Sequence, residues 1–180
     1  RALERAPGNA DYWRARAEHY YSFGDSGRAI SDATRAIELN TRVANFWVAR
    51  GLAYEQARDH TRAIADFKQA AAIDPSFWVA YYHLGNAYAA VSDDANALAS
   101  YDGGGKIKPD APEFWDARGT LYYARGRYDA ALAQFEQALN LRKENARDWV
   151  NRGKTRLALK NAQGARTDLD RAIELDPRNG

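Results

Sequence analysis

Catalysis or metal binding needs groups that can hold an ion, move a proton or attack an electrophile, and this chain has few of them. It has 180 residues, three histidines and no cysteine. Without thiols there is no disulfide, no zinc–thiolate site and no thiol nucleophile. His19, His60 and His83 are 41 and 23 residues apart, on different expected helices and faces, so they gather neither a metal nor an imidazole base. Carboxylates are plentiful, 24 in all, but their positions suit helix caps, ion pairs and solvent. The run Gly103-Gly104-Gly105-Lys106 invites comparison with a phosphate-binding loop. It fails, because Ser100 stands where the first glycine belongs and Ile107 follows the lysine in place of Ser or Thr. The expectation is a chain that is not an enzyme, with no catalytic residue, no metal and no cofactor.

One charged pattern is regular. Arg16, Arg50, Arg118 and Arg152 each stand sixteen residues ahead of Asp32, Asp66, Gln134 and Asp168. Where the arginine column holds Leu84, the partner column holds Ser100, so the two columns change together. This predicts an Arg–carboxylate hydrogen bond that ties two helices, with a structural role. Such a pair is net favourable only with good geometry.

The elements that position these residues follow from a period of 34. Trp13, Trp47, Trp115 and Trp149 share that step, with Tyr81 as the missing member. Gly51, Gly85, Gly119 and Gly153 keep it, and Ala17 completes the column. Tyr20, Tyr54, Tyr88 and Tyr122 follow three residues later, and Arg156 breaks their column. Ala29, Ala63, Ala97, Ala131 and Ala165 are unbroken, followed by Ala33, Phe67, Tyr101, Phe135 and Leu169. Pro7, Pro75, Pro109 and Pro177 close the units, with Thr41 and Lys143 substituting. Within each unit the apolar positions recur at three and four, the spacing of one helix face. Small residues let two backbones approach while rings fill the space between them. Asp25, Asp59, Asp93 and Asn161 are N-caps for the second helix of each pair, and the prolines are expected to stop that helix. The three glycines at 103–105 cost about 1 kcal/mol each against Ala, so that helix is expected to persist by packing but to bend or fray, a hinge between units one to three and four to five.

These columns resemble the tetratricopeptide repeat over essentially the whole chain. The resemblance implies an all-α fold, a right-handed superhelical solenoid of antiparallel helix pairs (an alpha-alpha superhelix) built from five 34-residue repeats. Residues 1–9 read as the end of a preceding repeat. The repeats follow at 10–43, 44–77, 78–111, 112–145 and 146–179, all in one solenoid domain. Trp13, Trp47, Trp115, Trp149, Gly51, Gly85, Gly119, Gly153, Arg50 and Asp66 are then structural.

In that family the first helices line a concave surface where partner peptides bind. Carried over by register, the partner-binding candidates are Tyr21, Val48, Leu52, Trp78, Tyr82, His83, Asn86 and Tyr123. The sharpest patch is Trp78, Tyr82, His83 and Asn86, since rings in a groove are binding anchors. Two specialised grooves of the family are absent. The carboxylate clamp would need a Lys where Tyr82 stands and an Asn where Ala117 stands. The asparagine ladder fits only at Asn151. Inward charges run from Asp11, Glu18, Glu55, Glu113 and Asp116 to Arg147 and Lys154, mainly a solvated face.

Composition bounds the partner. A net charge of +2 from 26 basic and 24 acidic residues is no basic patch, so nucleic acid is not expected. No apolar run approaches the ~18 residues of a membrane span, and no signal-peptide pattern occurs. The chain starts at Arg1 and has no Met, so it reads as a fragment or processed product, and its compartment stays unassigned, with the cytoplasm as default. The reading is a protein–protein interaction scaffold that binds a peptide segment in its groove. The alternative is a docking or regulatory segment of a larger enzyme or signalling protein. End-to-end self-association is expected of a solenoid whose last helix carries no polar cap.

Overall fold

The computed structural model describes residues 8–178. The sequence-based tail of a preceding repeat, with Arg1–Glu4 and Pro7, lies outside the described residues apart from Gly8 and Asn9. Among the described residues there are ten helices and no strand. They are α1 (Ala10–Ser22), α2 (Ser26–Leu39), α3 (Ala44–Gln56), α4 (His60–Ile73), α5 (Trp78–Ala90), α6 (Asp94–Ile107), α7 (Pro112–Ala124), α8 (Tyr128–Leu141), α9 (Ala146–Ala158) and α10 (Ala162–Leu175). Odd-numbered helices pack on the even-numbered helix that follows, the paired architecture of a helical-repeat solenoid. The contacts divide the chain into two compact units, one ending at Ile107 and the other beginning at Lys108, where a single domain was expected.

The turn inside each pair has one design. Gly24, Arg58, Ser92, Gly126 and Lys160 all adopt positive φ, between 60° and 79°. Each follows the first helix by two residues. The next residue's N–H reaches back to a carbonyl of the preceding turn, as in Asp25 N to Tyr20 O at 3.0 Å and Asp59 N to Tyr54 O at 2.8 Å. That pattern satisfies carbonyls which a helix end leaves without partners. The second helix then starts on a side-chain cap. Asp25 accepts from Arg28 N (3.0 Å), Asp59 from Arg62 N (3.0 Å), Asp93 from Asn96 N (3.2 Å) and Asn161 from Gly164 N (2.9 Å). Arg127 holds the corresponding position before α8 and gives no side-chain cap.

Packing between paired helices explains the glycine column. A Cβ on Gly51, Gly85 or Gly119 would lie 2.5, 2.3 or 2.6 Å from the ring of Phe67, Tyr101 or Phe135. The ring therefore rests directly on the backbone of the first helix. Where the ring is absent the glycine can go: buried Ala17 faces a pair whose ring position is Ala33, with both in one cluster with Ala49. At Gly153, opposite Leu169, the closest approach relaxes to 3.1 Å.

Two local expectations are corrected. Helix α6 runs unbroken through Gly103-Gly104-Gly105 to Ile107 and has 14 residues, the same length as α2, α4, α8 and α10. Gly104 is buried, and Gly103 lies under the Tyr81 ring, so packing holds the segment helical as expected, and it is the fraying that is absent. The boundary between the two units falls after this helix, outside the glycine run. The prolines do not set the ends of the second helices either. Helices α2 and α8 end at Leu39 and Leu141 without one, in the same register as α4 and α6, and a backbone N–H closes each helix, for example Asn40 N to Ala36 O at 3.0 Å.

Candidate functional site

In the first unit, α1 touches α3 and α3 touches α5, so the first helices form a row. The second helices pack along that row, α2 against α1 and α3, α4 against α3 and α5, and α6 against α5. The Arg–carboxylate staples lie between the layers. Arg50 donates from Nε and Nη2 to the two oxygens of Asp66, both at 2.8 Å, and Arg16 makes the same forked contact with Asp32 at 2.5 and 2.8 Å. The other guanidinium face rests on an indole: Arg50 is 5.0 Å from the Trp47 ring centre, and Arg16 is 5.0 Å from that of Trp13. The indoles are tied in turn, Trp47 donating from Nε1 to Thr41 O at 3.0 Å. Both carboxylates are 4% exposed. These groups are committed to the fold, and hydrogen bonding by the carboxylate is the first cause of the raised pKa of Arg16 and Arg50.

On the first helices the structure sorts the sequence-predicted residues. Val48 is 4% exposed and sits in the core with Tyr54, Phe67 and Ala80, so its assignment to the binding surface is corrected: it packs between helices. Asn86 spends its side-chain carbonyl internally, accepting from the Tyr101 hydroxyl at 2.8 Å. The cause is chemical: Tyr101 replaces the Phe found at 67 and 135, and a buried phenol needs a hydrogen-bond partner. His83 stacks on Phe67 at 5.5 Å and meets Tyr82 edge-on at 5.2 Å. Burial holds its pKa down at about 4, so the imidazole is neutral at pH 7. Tyr82 and Trp78 are half-buried, as is Leu52, which packs against the core at its inner edge. Tyr21 is 37% exposed, and its carbonyl accepts from Gln56 Nε2 at 2.9 Å, linking α1 to α3.

Glu55 was a groove position in the sequence but not singled out there. Its carboxylate is partly buried on α3 and is pushed up to about 7 by burial alone, with no neighbouring charge contributing. Its charge is felt by the Tyr101 hydroxyl, which burial holds well above the ordinary phenol value, with Tyr82 contributing. Glu55 stands three residues after Leu52, hence on the same face, a signal the sequence did contain.

The second unit has its own row, α7 touching α9. Asp148 is fully buried and takes Arg142 Nε and Nη2 at 3.0 and 2.9 Å. Asp168, also fully buried, is gripped by Arg152 at 3.0 and 2.7 Å and by Arg156 Nη1 at 2.9 Å. Arg156 is the residue that broke the tyrosine column, and a second guanidinium on one carboxylate is what it supplies. In the fourth pair Arg118 stacks on Trp115 at 4.3 Å, with Gln134 where the carboxylate would be. Tyr123 is 37% exposed, lies 5.4 Å from the Tyr128 ring, and borders a small cleft with Thr120, Asn151 and Lys154. Asn151 donates to Asp116 at 2.8 Å. No cluster of His, Asp and Glu among the described residues could hold a metal, and no helix among them is long and apolar enough to cross a membrane.

Sequence profiles described as tetratricopeptide repeat match residues 14–76, 48–112 and 146–179, and one described as TPR repeat matches 119–160. The chain belongs to the tetratricopeptide repeat family. Several solved structures are similar to it. PilW, a type IV pilus biogenesis factor, shares 21% identity over 98% of this chain and 82% of its own, with a TM-score of 0.87. TTC0263, a thermophilic TPR protein of Thermus thermophilus, shares 19% over 95% and 93%, with a TM-score of 0.80. YrrB, described as a TPR protein with an unusual peptide-binding site, shares 22% over 98% and 91%, with a TM-score of 0.66. None of the curated proteins matches. For a tetratricopeptide repeat chain the Trp, Gly and ring columns are the packing skeleton, so individuality lies in what the skeleton does not use.

Proposed function

We propose that this chain is a non-enzymatic protein–protein interaction scaffold that holds a peptide segment of its partner in the groove formed by its first helices. One observation carries the reading: α5 bears rings that the repeat skeleton does not require. Trp78 stands where the other units have Ala10, Ala44, Pro112 and Ala146, and His83 where three of them have Ala15, Ala49 and Ala117. Tyr82 adds a third ring on that helix, and Leu52 lies on the neighbouring one. Half-buried rings beside an apolar side chain supply contact area at little entropic cost. The peptide-binding site named for YrrB belongs to that protein and agrees with the reading in kind.

A second reading, a docking or regulatory segment of a larger enzyme or signalling protein, is favoured by one comparison. The similarity to the Cut9–Hcn1 structure covers 97% of this chain but 35% of that one, so comparable arrays occur inside longer chains.

Panning a displayed library of twelve-residue peptides against the chain tests the first reading. Selected peptides are expected to lose at least tenfold in affinity for a Trp78→Ala/Tyr82→Ala variant whose helical circular dichroism is unchanged. Retained affinity, or selection of no peptide, contradicts it.

A further inference from the structure

We infer that the chain docks head to tail on a second copy of itself, Tyr12 on α1 of one copy entering the groove that α9 and α10 leave at the C-terminal end of the other. The inference does not depend on peptide binding by the first helices.

The joint between the first two helix pairs shows what such a groove holds. There Ala36, Ile37 and Phe46 form a buried cluster, with Ala10, Trp13, Val43 and Trp47 packed against it. The side of that joint made by α1 and α2 consists of Ala10, Trp13, Ala36 and Ile37. Four periods later the same residue types return as Ala146, Trp149, Ala172 and Ile173. Of these, Ala146, Ala172 and Ile173 line a groove of about 890 Å³, together with Asp176. Ile37 is 5% exposed under α3, whereas Ile173 is 50% exposed. The other half of the joint has a counterpart too. Phe46, which seals it at 2% exposure, corresponds to Tyr12, which is 42% exposed. An isoleucine and a ring that cover each other inside the chain thus recur uncovered, one near each end. Bringing the two together removes apolar surface from water.

Two polar positions favour a second copy over an arbitrary apolar helix. Arg142, which closes α8, donates to Asp148, the third residue of α9, at 3.0 and 2.9 Å. In the proposed joint those positions are Asp176, which closes α10, and Tyr12, the third residue of α1. The phenol hydroxyl then donates to the carboxylate. The second position involves Arg50, which spends Nε and Nη2 on Asp66 and reaches Thr34 in the preceding pair with Nη1 at 3.4 Å. Arg16 spends the same two nitrogens on Asp32, and the residue four periods after Thr34 is Asp170. Across the joint a guanidinium N–H therefore meets a carboxylate where inside the chain it meets a hydroxyl. Asp170 is otherwise held by Arg166 at 3.7 Å, with both side chains largely exposed, a contact of little strength. Arg1-Ala2-Leu3-Glu4 repeats Arg171-Ala172-Ile173-Glu174 in sequence, so on the docking copy these residues must stand clear of the joint.

Groove and ring are different surfaces, so the joint is heterologous and a pair of copies still offers one of each. In sedimentation equilibrium the average mass of the 180-residue chain should rise with concentration beyond that of one chain. Ile173→Lys, which spoils the groove, and Tyr12→Lys, which spoils the ring, should each abolish the rise. Helical circular dichroism should not change, since both residues are exposed in the single chain. Mixed in equal amounts, the two variants should pair through the one intact groove and the one intact ring, and stop at two chains. Asp170→Lys, which sets a cation opposite Arg16, should weaken association fivefold or more at low salt. A monomer at every concentration overturns the inference. Association that Ile173→Lys abolishes and Tyr12→Lys leaves intact also overturns it, being a tail-to-tail dimer. A mixture that stays monomeric, or association indifferent to Asp170→Lys, does the same.

Discussion

In the second helix pair, Arg50 lies between the Trp47 ring and the Asp66 carboxylate; in the third pair the same three positions are Tyr81, Leu84 and Ser100. Ser100 turns its hydroxyl back to Asn96 O on its own helix at 2.7 Å, and Leu84 is 8% exposed in the core. Tyr81 lies over Gly103, where a Cβ would come within 3.2 Å of the ring. Yet the paired helices have the same lengths, 13 and 14 residues, and the same turn. What stays constant is the ring on glycine, Phe67 on Gly51 and Tyr101 on Gly85. The polar staple is thus one way to fill the space beside that contact, and apolar packing is another. Giving up the staple coincides with the concentration of rings on α5, where the groove reading places the partner.

The largest expected effect separates the two pairs. Asp66→Ala strands a guanidinium whose side chain is 17% exposed and should cost about 3 kcal/mol in urea unfolding, whereas Ser100→Ala should cost no more than about 0.5 kcal/mol. Equal losses would break the distinction. Next come the shared contacts. Gly51→Ala and Gly85→Ala should each destabilise by about 1–3 kcal/mol, because a Cβ at 2.5 or 2.3 Å from a buried ring forces repacking. Tolerance of either one would show that the ring on glycine is not what the pairs have in common.

A pH effect of intermediate size, on the order of 2 kcal/mol, is expected of Glu55 in the second pair, whose counterpart in the third is Ala89; His83, held neutral in the third pair, acts in the opposite sense as the pH falls below 6.5. The folded state holds the Glu55 proton up to about pH 7, against an ordinary value of 4.5. Its contribution to stability is therefore complete below pH 4.5, declines as the pH rises, and is gone above about 7. Glu55→Gln should remove that decline from the thermal melting profile between pH 5 and 8, measured on a background where Tyr82, His83 and Tyr101 are unchanged. An identical profile for the variant would place the carboxylate in solvent. The smallest effect is a gain. Gly105→Ala should stabilise by about 1 kcal/mol, since a Cβ there meets nothing within 4 Å and helix propensity favours Ala. Gly103→Ala should gain less, because the Tyr81 ring must give way.

The period of 34 made the helix pairs, the caps and the forked staples legible, because each depends on residue type at a fixed offset. Val48 and Asn86 were misread for a common reason. Register says which way a position points, but exposure depends on what the neighbouring helix brings to it. Val48 is covered from the next helix, and Asn86 answers a hydroxyl that Tyr101 introduced. Other signals were present and passed over. The positive-φ column contains Gly24 and Gly126 three periods apart, and the loss of glycine at Ala17 goes with the loss of the ring at Ala33. Arg156 broke a column because it serves Asp168 instead. The sequence placed Glu55 on the face of Leu52, but its burial without a cation beside it is visible only in the structure.

The claim that the row of first helices is the working surface is tested most directly by photo-crosslinking. A library-selected peptide carrying benzoylphenylalanine, irradiated with the chain and mapped by mass spectrometry, should label residues of α3 and α5, with Tyr82 and Leu52 among the main adducts. Adducts confined to the second helices α2, α4 and α6 would contradict the account.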